Sequence, residues 1–443
     1  MQDESQNGKS RREFITEVGA SALALSALSG AAATAAQSSD KRSSSNSKVV
    51  RIGVVGGGFG AQFQWHLHPY CKVVAVCERR PDRLEVLKTT YKADKGYASY
   101  EEFLRHPGLD AVALFTPAPF HVDQAVPALM AGKHVISAVP AGLTIEEVER
   151  LLHAVKQSGM KYMMAETSRY RPEVIACVDW AKEGKFGTIF YSEAEYHHTG
   201  IAPYSYGHSF DCQTCDFVQN IDQVTANAKG KVDTSKLVQT WAAAYPPMLY
   251  PTHCTGLIIP VIGERFTEVV AHGWGDNHEM LKKNYYNDNP FFHTVAMFKT
   301  SENHAARISI GWHLAAGGTE RGLFYGDRMS YIMERPEGSP DTKVIQKETN
   351  SSFGIYVGEI ESDAYKPSNY YERLPEPLRV FSHHGNSHPF ITHEFISAIV
   401  ENRHPTVNVW EALAYTVPGI VAHQSALEGG SRLMIKNYGS APV

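Results

Sequence analysis

The sequence predicts an α/β protein built on a doubly wound parallel sheet, and three observations carry that reading. Between residues 49 and 170, short β-branched runs alternate with segments of helical length, the pattern of strand–helix–strand units. The first run ends in a glycine-rich turn, Gly56-Gly57-Gly58-Phe59-Gly60-Ala61. The second ends in a carboxylate, Glu78, twenty positions beyond Gly58.

In chain order, Val49–Val55 reads as a buried parallel strand, because a strand covered on both faces is apolar throughout rather than alternating. The spacing Gly56-x-Gly58-x-x-Ala61 then predicts a tight turn opening a helix. Gly56 suits the turn, Gly58 admits a pyrophosphate close to backbone, and Ala61 lets helix pack on strand. Phe59 and Gly60 complete this cradle, and the helix N-terminus would offer unpaired amides to the phosphates. Val73–Cys77 is the second strand, and Glu78 stands where a carboxylate binds the ribose hydroxyls of NAD. Arg79 and Arg80 follow and would suit a 2′-phosphate, but Glu78 repels one, so NAD is expected over NADP.

A third strand, Ala111–Phe115, passes through Thr116-Pro117 into a helix begun by His121, and Lys133–Ser137 returns as a fourth. Thr116, Pro117 and the turn at Pro140 fall at the carboxyl ends of strands, the ligand edge of an open α/β sheet. His121 is grouped with them at the nucleotide site, although its position equally suits a helix start. Tyr162–Ala165 is the last strand. Glu166 ends it at the same edge, either to meet the nicotinamide ribose or substrate, or to pair with Arg169 or Arg171.

Ahead of this domain, Ser10-Arg11-Arg12-Glu13-Phe14-Ile15 matches the twin-arginine export pattern. Residues 1–36 read as a leader, with Ala33-Thr34-Ala35 fitting a small-residue cleavage site. The run Val18–Ser39 is uncharged but rich in Ala, Ser and Gly, too weakly apolar for a stable span. The product is expected to be periplasmic or otherwise exported, without a stable membrane span after cleavage. Residues 37–48 form a Ser-rich linker. What remains, roughly 400 residues, is enough for two domains, with boundaries expected at 49–170 and 171–443. A net charge of −5 gives no electrostatic footprint for nucleic acid. Six cysteines in a chain of 443 residues do not make a disulfide scaffold.

The glycine fingerprint, Thr116-Pro117, Ala131-Gly132-Lys133-His134-Val135 and Met164-Ala165-Glu166-Thr167-Ser168-Arg169-Tyr170 together resemble the Gfo/Idh/MocA family of sugar and inositol oxidoreductases. The resemblance implies an N-terminal Rossmann domain and a C-terminal α/β domain with a large, mostly antiparallel sheet. A sugar or glycoside substrate would lie between that sheet and the nicotinamide, and the sheet would offer a surface for homo-oligomers. The family's Glu-Lys-Pro after Gly-Lys-His-Val is Ala138-Val139-Pro140 here, and the family's Asp four residues before its catalytic His is Leu249. Val139 cannot move a proton. The NAD-dependent α-N-acetylgalactosaminidase branch is similar at the Val139-Pro140 turn and at Tyr250-Pro251-Thr252-His253. That likeness implies catalytic roles for His253 and Tyr250, with Tyr170 near the sugar. It also implies a redox-neutral cycle of oxidation, elimination, hydration and re-reduction as the alternative to net dehydrogenation. A non-catalytic sugar-binding homologue is the further alternative. An exported protein meets little free dinucleotide, so tightly bound NAD is expected.

Other residues stay open at this stage. His253 is a candidate general base because imidazole titrates near neutrality. His197 and His198 end a strand beginning at Tyr191, so one points to each face, and His198 with Arg169 is assigned to substrate. Cys212-Gln213-Thr214-Cys215 with His208 and Asp211 is too little for zinc and reads as a local disulfide or two thiols. His383, His384, His388 and His393 suit sugar hydroxyls, a metal or a surface loop, and sparse acidic partners argue against metal. Trp274, Trp312 and Tyr325 are sugar platforms or core, and the helix Trp410–Leu427 reads as structural.

Overall fold

Six short strands pair in parallel in the order β3-β2-β1-β4-β5-β6. They are β1 (Val50–Val55), β2 (Cys71–Cys77), β3 (Lys95–Tyr97), β4 (Ala111–Leu114), β5 (His134–Ser137) and β6 (Tyr162–Met164). This order reverses between β1 and β4, which opens a crevice at their carboxyl ends. The computed structural model describes residues 49–199, 244–276, 281, 286, 289–314, 318–334, 340–346, 360–365, 368 and 370–442. The leader, the serine-rich linker and the Cys212–Cys215 segment with His208 and Asp211 lie outside the described residues.

Four helices join these strands: α1 (Pro81–Tyr91), α2 (Tyr100–Leu104), α3 (His121–Met130) and α4 (Ile145–Ser158). Their ends follow local chemistry. Thr144 accepts the Glu147 amide at the start of α4, and Gly159 in the left-handed region, φ 69°, stops it.

One expected helix is missing. After the glycine turn the chain makes only a 3₁₀ turn, Phe59–Gln62, and a second, Trp65–Leu67, before β2 begins. Its place is taken from the far end of the chain. Helices α5 (Pro172–Lys182) and α6 (Thr252–Ile262) precede α7 (His388–Val400) and α8 (Val409–Leu427), and α7 packs on β1. Phe63 stacks on His388 at 4.4 Å and on Phe115 at 4.3 Å, and Trp65 meets Phe395 edge-on. His68 Nδ1 accepts the Tyr70 amide, so its Nε2 carries the proton and donates to His393 Nδ1 at 3.1 Å. Burial, then the neighbouring His393, holds His68 down at about 4, hence neutral. Helix α8 likewise lies against α4 and β6. The segment 171–443 therefore completes the nucleotide domain as well as forming the second one.

The second sheet has nine strands in the order β14-β13-β12-β11-β7-β10-β9-β8-β15. In chain order they are β7 (Ile189–Thr199), β8 (Phe266–Trp274), β9 (His293–Thr300), β10 (Ala305–Leu314), β11 (Thr319–Gly326), β12 (Met329–Ile332), β13 (Thr342–Gln346), β14 (Ile360–Ala364) and β15 (Leu433–Met434). Only the β7–β10 pair is parallel. Helix α6 lies on β7 and β11 and is buried along nearly its whole length. An apolar helix held between layers is what the run Leu257-Ile258-Ile259-Pro260-Val261 requires.

Because Trp65 is fully buried at the junction of the glycine turn and α7, Trp65→Ala should lower unfolding free energy by about 3–5 kcal/mol. Urea denaturation followed by circular dichroism checks this.

Candidate functional site

A cavity of about 910 Å³ runs along the carboxyl edge of the parallel sheet, from Glu78, Arg79 and Arg83 past the glycine turn to Val139, Tyr250 and His253. At its nucleotide end Gly56 has φ +98°, and a Cβ there would stand 2.3 Å from the Phe115 carbonyl oxygen. Only glycine lets the turn approach β4 this closely. At Gly58 the nearest atom to a built Cβ is Arg83 Nη1 at 3.6 Å, so the missing side chain leaves open space beside a guanidinium. The Glu78 carboxylate at the end of β2 accepts the Gly57 amide at 2.7 Å and the Arg80 amide at 3.0 Å. This cradle fits a dinucleotide: a carboxylate for ribose hydroxyls, an arginine and backbone amides for phosphate. The amides come from a 3₁₀ turn, so the dipole of a long helix contributes nothing here.

Gly56, Gly58, Phe59, Glu78, Arg79, Thr116 and Pro117 all line the cavity. Gly60, Ala61 and Pro140 do not, because the first two turn inward and Pro140 is buried behind Val139. His121 is also off the wall. Its Nε2 faces the Thr116 carbonyl and its Nδ1 the Pro140 carbonyl, each at 2.8 Å, and burial lowers its pKa. It ties the turn after β4 to the turn after β5 and so shapes the wall from behind.

The substrate end centres on His253, at the start of α6 and buried. Its Nδ1 lies 2.8 Å from Glu166 Oε1 and 3.1 Å from Ser168 Oγ. Ser168 gives its single proton to Glu320 Oε1 at 2.6 Å. Both groups facing Nδ1 therefore accept, so Nδ1 carries the proton and Nε2 is left with a lone pair for the cavity. Arg171 Nη1 donates to the Glu320 carbonyl at 2.8 Å and lies 3.4 Å from its carboxylate.

Charge explains how this cluster titrates. Burial alone would raise Glu166 and Glu320, but His253 beside the first and Arg171 beside the second hold both below the ordinary carboxylate value. Burial alone would lower His253. Arg171 is already engaged by Glu320 and, at 3.6 Å, by Glu173, so the positive charge beside Glu166 is wanted on His253, whose pKa is raised above 6.5. Since the folded value exceeds the unfolded one, the stabilisation is full below 6.5 and fades as pH rises through the folded value.

Glu166, expected at the ligand, instead sits fully buried behind His253. It fits because the next turn of α6 carries Gly256, where a Cβ would stand 2.6 Å from Glu166 Cγ. Tyr170 is buried away from the cavity, and the Arg169 guanidinium lies over its ring, 5.6 Å from the centroid. His198 shares the inner face of β7 with Tyr196, 4.6 Å between rings, but does not reach the cavity wall. His197 points to the other face, against Ser309. Trp312 is buried with its indole nitrogen donating to the Tyr245 carbonyl, Tyr325 stacks on Tyr191, and Trp274 is exposed.

Three residues of the site escaped the sequence reading. Tyr196 packs on both His253, at 4.6 Å, and Tyr250, at 6.0 Å, and lines the cavity; its even spacing from His198 on one strand was the available signal. Ser168 lay in plain view two residues after Glu166. Glu320 had no local signal, since it meets Ser168 across 152 residues. Among the described residues, no group of three or more His, Cys, Asp or Glu could hold a metal ion.

Comparison with known proteins agrees with this geometry. Residues 50–166 match the family model described as an oxidoreductase family with NAD-binding Rossmann fold. A glycosyl hydrolase family 109 protein of Shewanella amazonensis is 28% identical over 212 residues, 43% of this chain and 46% of that protein. An alpha-N-acetylgalactosaminidase of Shewanella oneidensis is 27% identical over 165 residues, 34% of this chain and 36% of that protein. The chain thus spans less than half the length of these curated relatives. Myo-inositol 2-dehydrogenase from Lactobacillus plantarum shares the fold, with TM-score 0.61 and 19% identity over 88% of this chain and 100% of that one. Scyllo-inositol dehydrogenase from Lactobacillus casei, solved with NAD(H) and scyllo-inositol, gives TM-score 0.59 and 18% identity over 87% and 99%. Residues 50–166 therefore form a domain that matches the NAD-binding Rossmann fold of the Gfo/Idh/MocA oxidoreductase family.

Proposed function

We propose that this protein holds NAD and oxidises a hydroxyl of a sugar or glycoside, with His253 as general base. One observation carries the reading: a single cavity joins the nucleotide cradle at Glu78 and Gly58 to the His253 imidazole, whose Nδ1 is held by the Glu166 carboxylate. Bound in the cradle, NAD supplies a hydride acceptor, and in a redox-neutral cycle also the donor that restores the sugar. Glu78 favours NAD over NADP by repelling a 2′-phosphate, although Arg79 stands beside it on the wall.

His253 Nε2 takes the hydroxyl proton while Glu166 stabilises the imidazolium that forms, in the manner of a carboxylate-supported histidine. Tyr250 and Tyr196 flank the imidazole and close the site with aromatic surface. Val139 on the wall has no proton to exchange, so His253 takes the part of the base, with the Tyr250 hydroxyl beside it. The redox-neutral glycosidase reading is favoured by the curated relatives, several of which are named as glycosyl hydrolase family 109 proteins.

The test uses protein as purified. Mass spectrometry of the denatured protein should find about one NAD per chain, and its absence, with no binding by calorimetry, overturns the reading. Myo-inositol, levoglucosan and p-nitrophenyl N-acetyl-α-galactosaminide are then supplied in deuterated water without added cofactor. Release of nitrophenol with deuterium at C2 supports the redox-neutral cycle. Accumulation of NADH from an unglycosylated polyol supports net oxidation.

A base must be neutral to act, so the rising limb of the pH–rate profile should lie above pH 6.5, following the raised His253. Glu166→Gln should shift that limb down by about 1–3 pH units and lower kcat on the order of 10- to 100-fold. An unmoved limb would remove Glu166 from the mechanism.

We further propose export by the twin-arginine route from Arg11-Arg12. Replacing both with Lys should leave the full-length precursor in the cytoplasm, as cell fractionation with immunoblotting reads.

A further inference from the structure

The opposite wall of the cavity carries a second imidazole. His384 lines the cavity that His253 lines, yet comes from a turn more than a hundred residues later in the chain. That turn is unusual backbone: His384, Gly385 and Asn386 have φ of 51°, 60° and 66°, three left-handed residues in succession. A non-glycine residue in this region is strained, because its Cβ crowds the neighbouring backbone carbonyl. Surrounding contacts hold it there. Asn386 Oδ1 accepts the Ser382 amide at 3.0 Å, and a Cβ at Gly385 would stand 3.2 Å from Arg171 Cγ. The turn thus rests on the same Arg171 that balances the His253 cluster. Strain kept at a cavity wall points to a task for the side chain it displays.

The hydrogen bonds behind His384 fix which nitrogen bears its proton. His388 Nδ1 lies 3.1 Å from the Gln62 carbonyl oxygen, which only accepts, so Nδ1 donates. Burial, then the neighbouring His384, holds His388 down at about 3, so it is neutral and its Nε2 has only a lone pair. His384 Nδ1, 3.1 Å from that Nε2, must therefore be the donor. Burial, then His253, lowers His384 as well, against the pull of Glu320 and Glu166, and His383 adds to the lowering. A neutral His384 with its proton on Nδ1 has a lone pair on Nε2, which has no hydrogen-bond partner among the described residues. Phe59 of the glycine turn packs edge-on against the ring at 5.3 Å, so the His384 ring stands beside the glycine turn on the cavity wall.

We propose that His384 is a second substrate-contacting imidazole, accepting a hydrogen bond from a sugar hydroxyl through Nε2, with its tautomer locked by His388 and the Gln62 carbonyl. The proposal rests on the reading of the cavity as a sugar site. It divides the labour: His253, kept proton-hungry by Glu166, exchanges the proton, while His384 stays neutral and orients the ring. It also supplies a polar contact that Val139 cannot.

The experiment is long-range ¹H–¹⁵N NMR on histidine-labelled, NAD-loaded protein, with signals assigned through His384→Gln and His388→Phe. His384 should be the Nδ1–H tautomer and neutral at pH 7. In His388→Phe, which keeps an aromatic ring against Phe63, the tautomer should become mixed. An Nε2–H tautomer or a protonated His384 at pH 7 overturns the proposal, whether or not any sugar has been found to react. With a substrate from the screen above, His384→Gln should raise KM roughly 5- to 10-fold, the worth of one hydrogen bond, while kcat falls less and the protein still retains NAD. Unchanged KM also overturns it. Loss of bound NAD from the unmodified protein would instead defeat the functional reading beneath it.

Discussion

Two buried carboxylates, Glu166 and Glu320, linked through His253 and Ser168 and balanced on the Glu320 side by Arg171, set the terms for the middle of this molecule. Glu166 comes from the end of β6, Glu320 from β11, Arg171 from the start of α5 and His253 from the start of α6. Uncompensated carboxylates at this depth would be strongly destabilising. The cluster is balanced only when all four elements meet, so the nucleotide sheet and the large sheet are joined by charge as well as by apolar packing. The same requirement makes His253 a better base than a free imidazole. Stability and reactivity here are two readings of one charge deficit.

The aromatic floor under the glycine turn plays the complementary, uncharged part. Phe63 stacks on both His388 and Phe115, and Tyr91 donates its hydroxyl to the Gly60 carbonyl with the Phe63 carbonyl 3.0 Å away. These contacts replace a crossover helix with side chains from α7. They also give the turn its position against β4, which the phosphate cradle needs. The His388 ring belongs to this floor and also bonds His384, so packing beneath the glycine turn reaches a side chain that lines the cavity.

Much of this was legible in the sequence, for physical reasons that also mark the limits. Parallel strands covered on both faces write themselves as short β-branched runs, so β1, β2, β4, β5 and β6 were located within a few residues. Gly56 and Glu78 were legible because turn geometry and ribose chemistry restrict their identity at fixed spacing. The helix after the fingerprint was expected from the same motif and is absent, because Trp65 and His68 are satisfied by Phe395 and His393 from the distant α7, and no local pattern carries such a contact. Glu166 was found as a site residue but placed on the wrong side of His253. Its neighbour Gly256 reads as an ordinary helix weakness until the carboxylate lying against it is seen. Glu320 and Tyr196 stand opposite each other on paired strands more than a hundred residues apart, and alternation alone cannot say which face a site occupies.

The long reach of α7 has a bearing on synthesis. His68 and His393, which bond directly, are separated by 325 residues. At 5–20 residues per second, the first strand waits roughly 15–65 s on the ribosome for the helix that covers it. An isolated nucleotide half would expose Phe63 and Trp65 throughout that interval. The nucleotide site, though begun before the second sheet, is completed after it: the cradle takes its final form once α7 has been made and packs on β1.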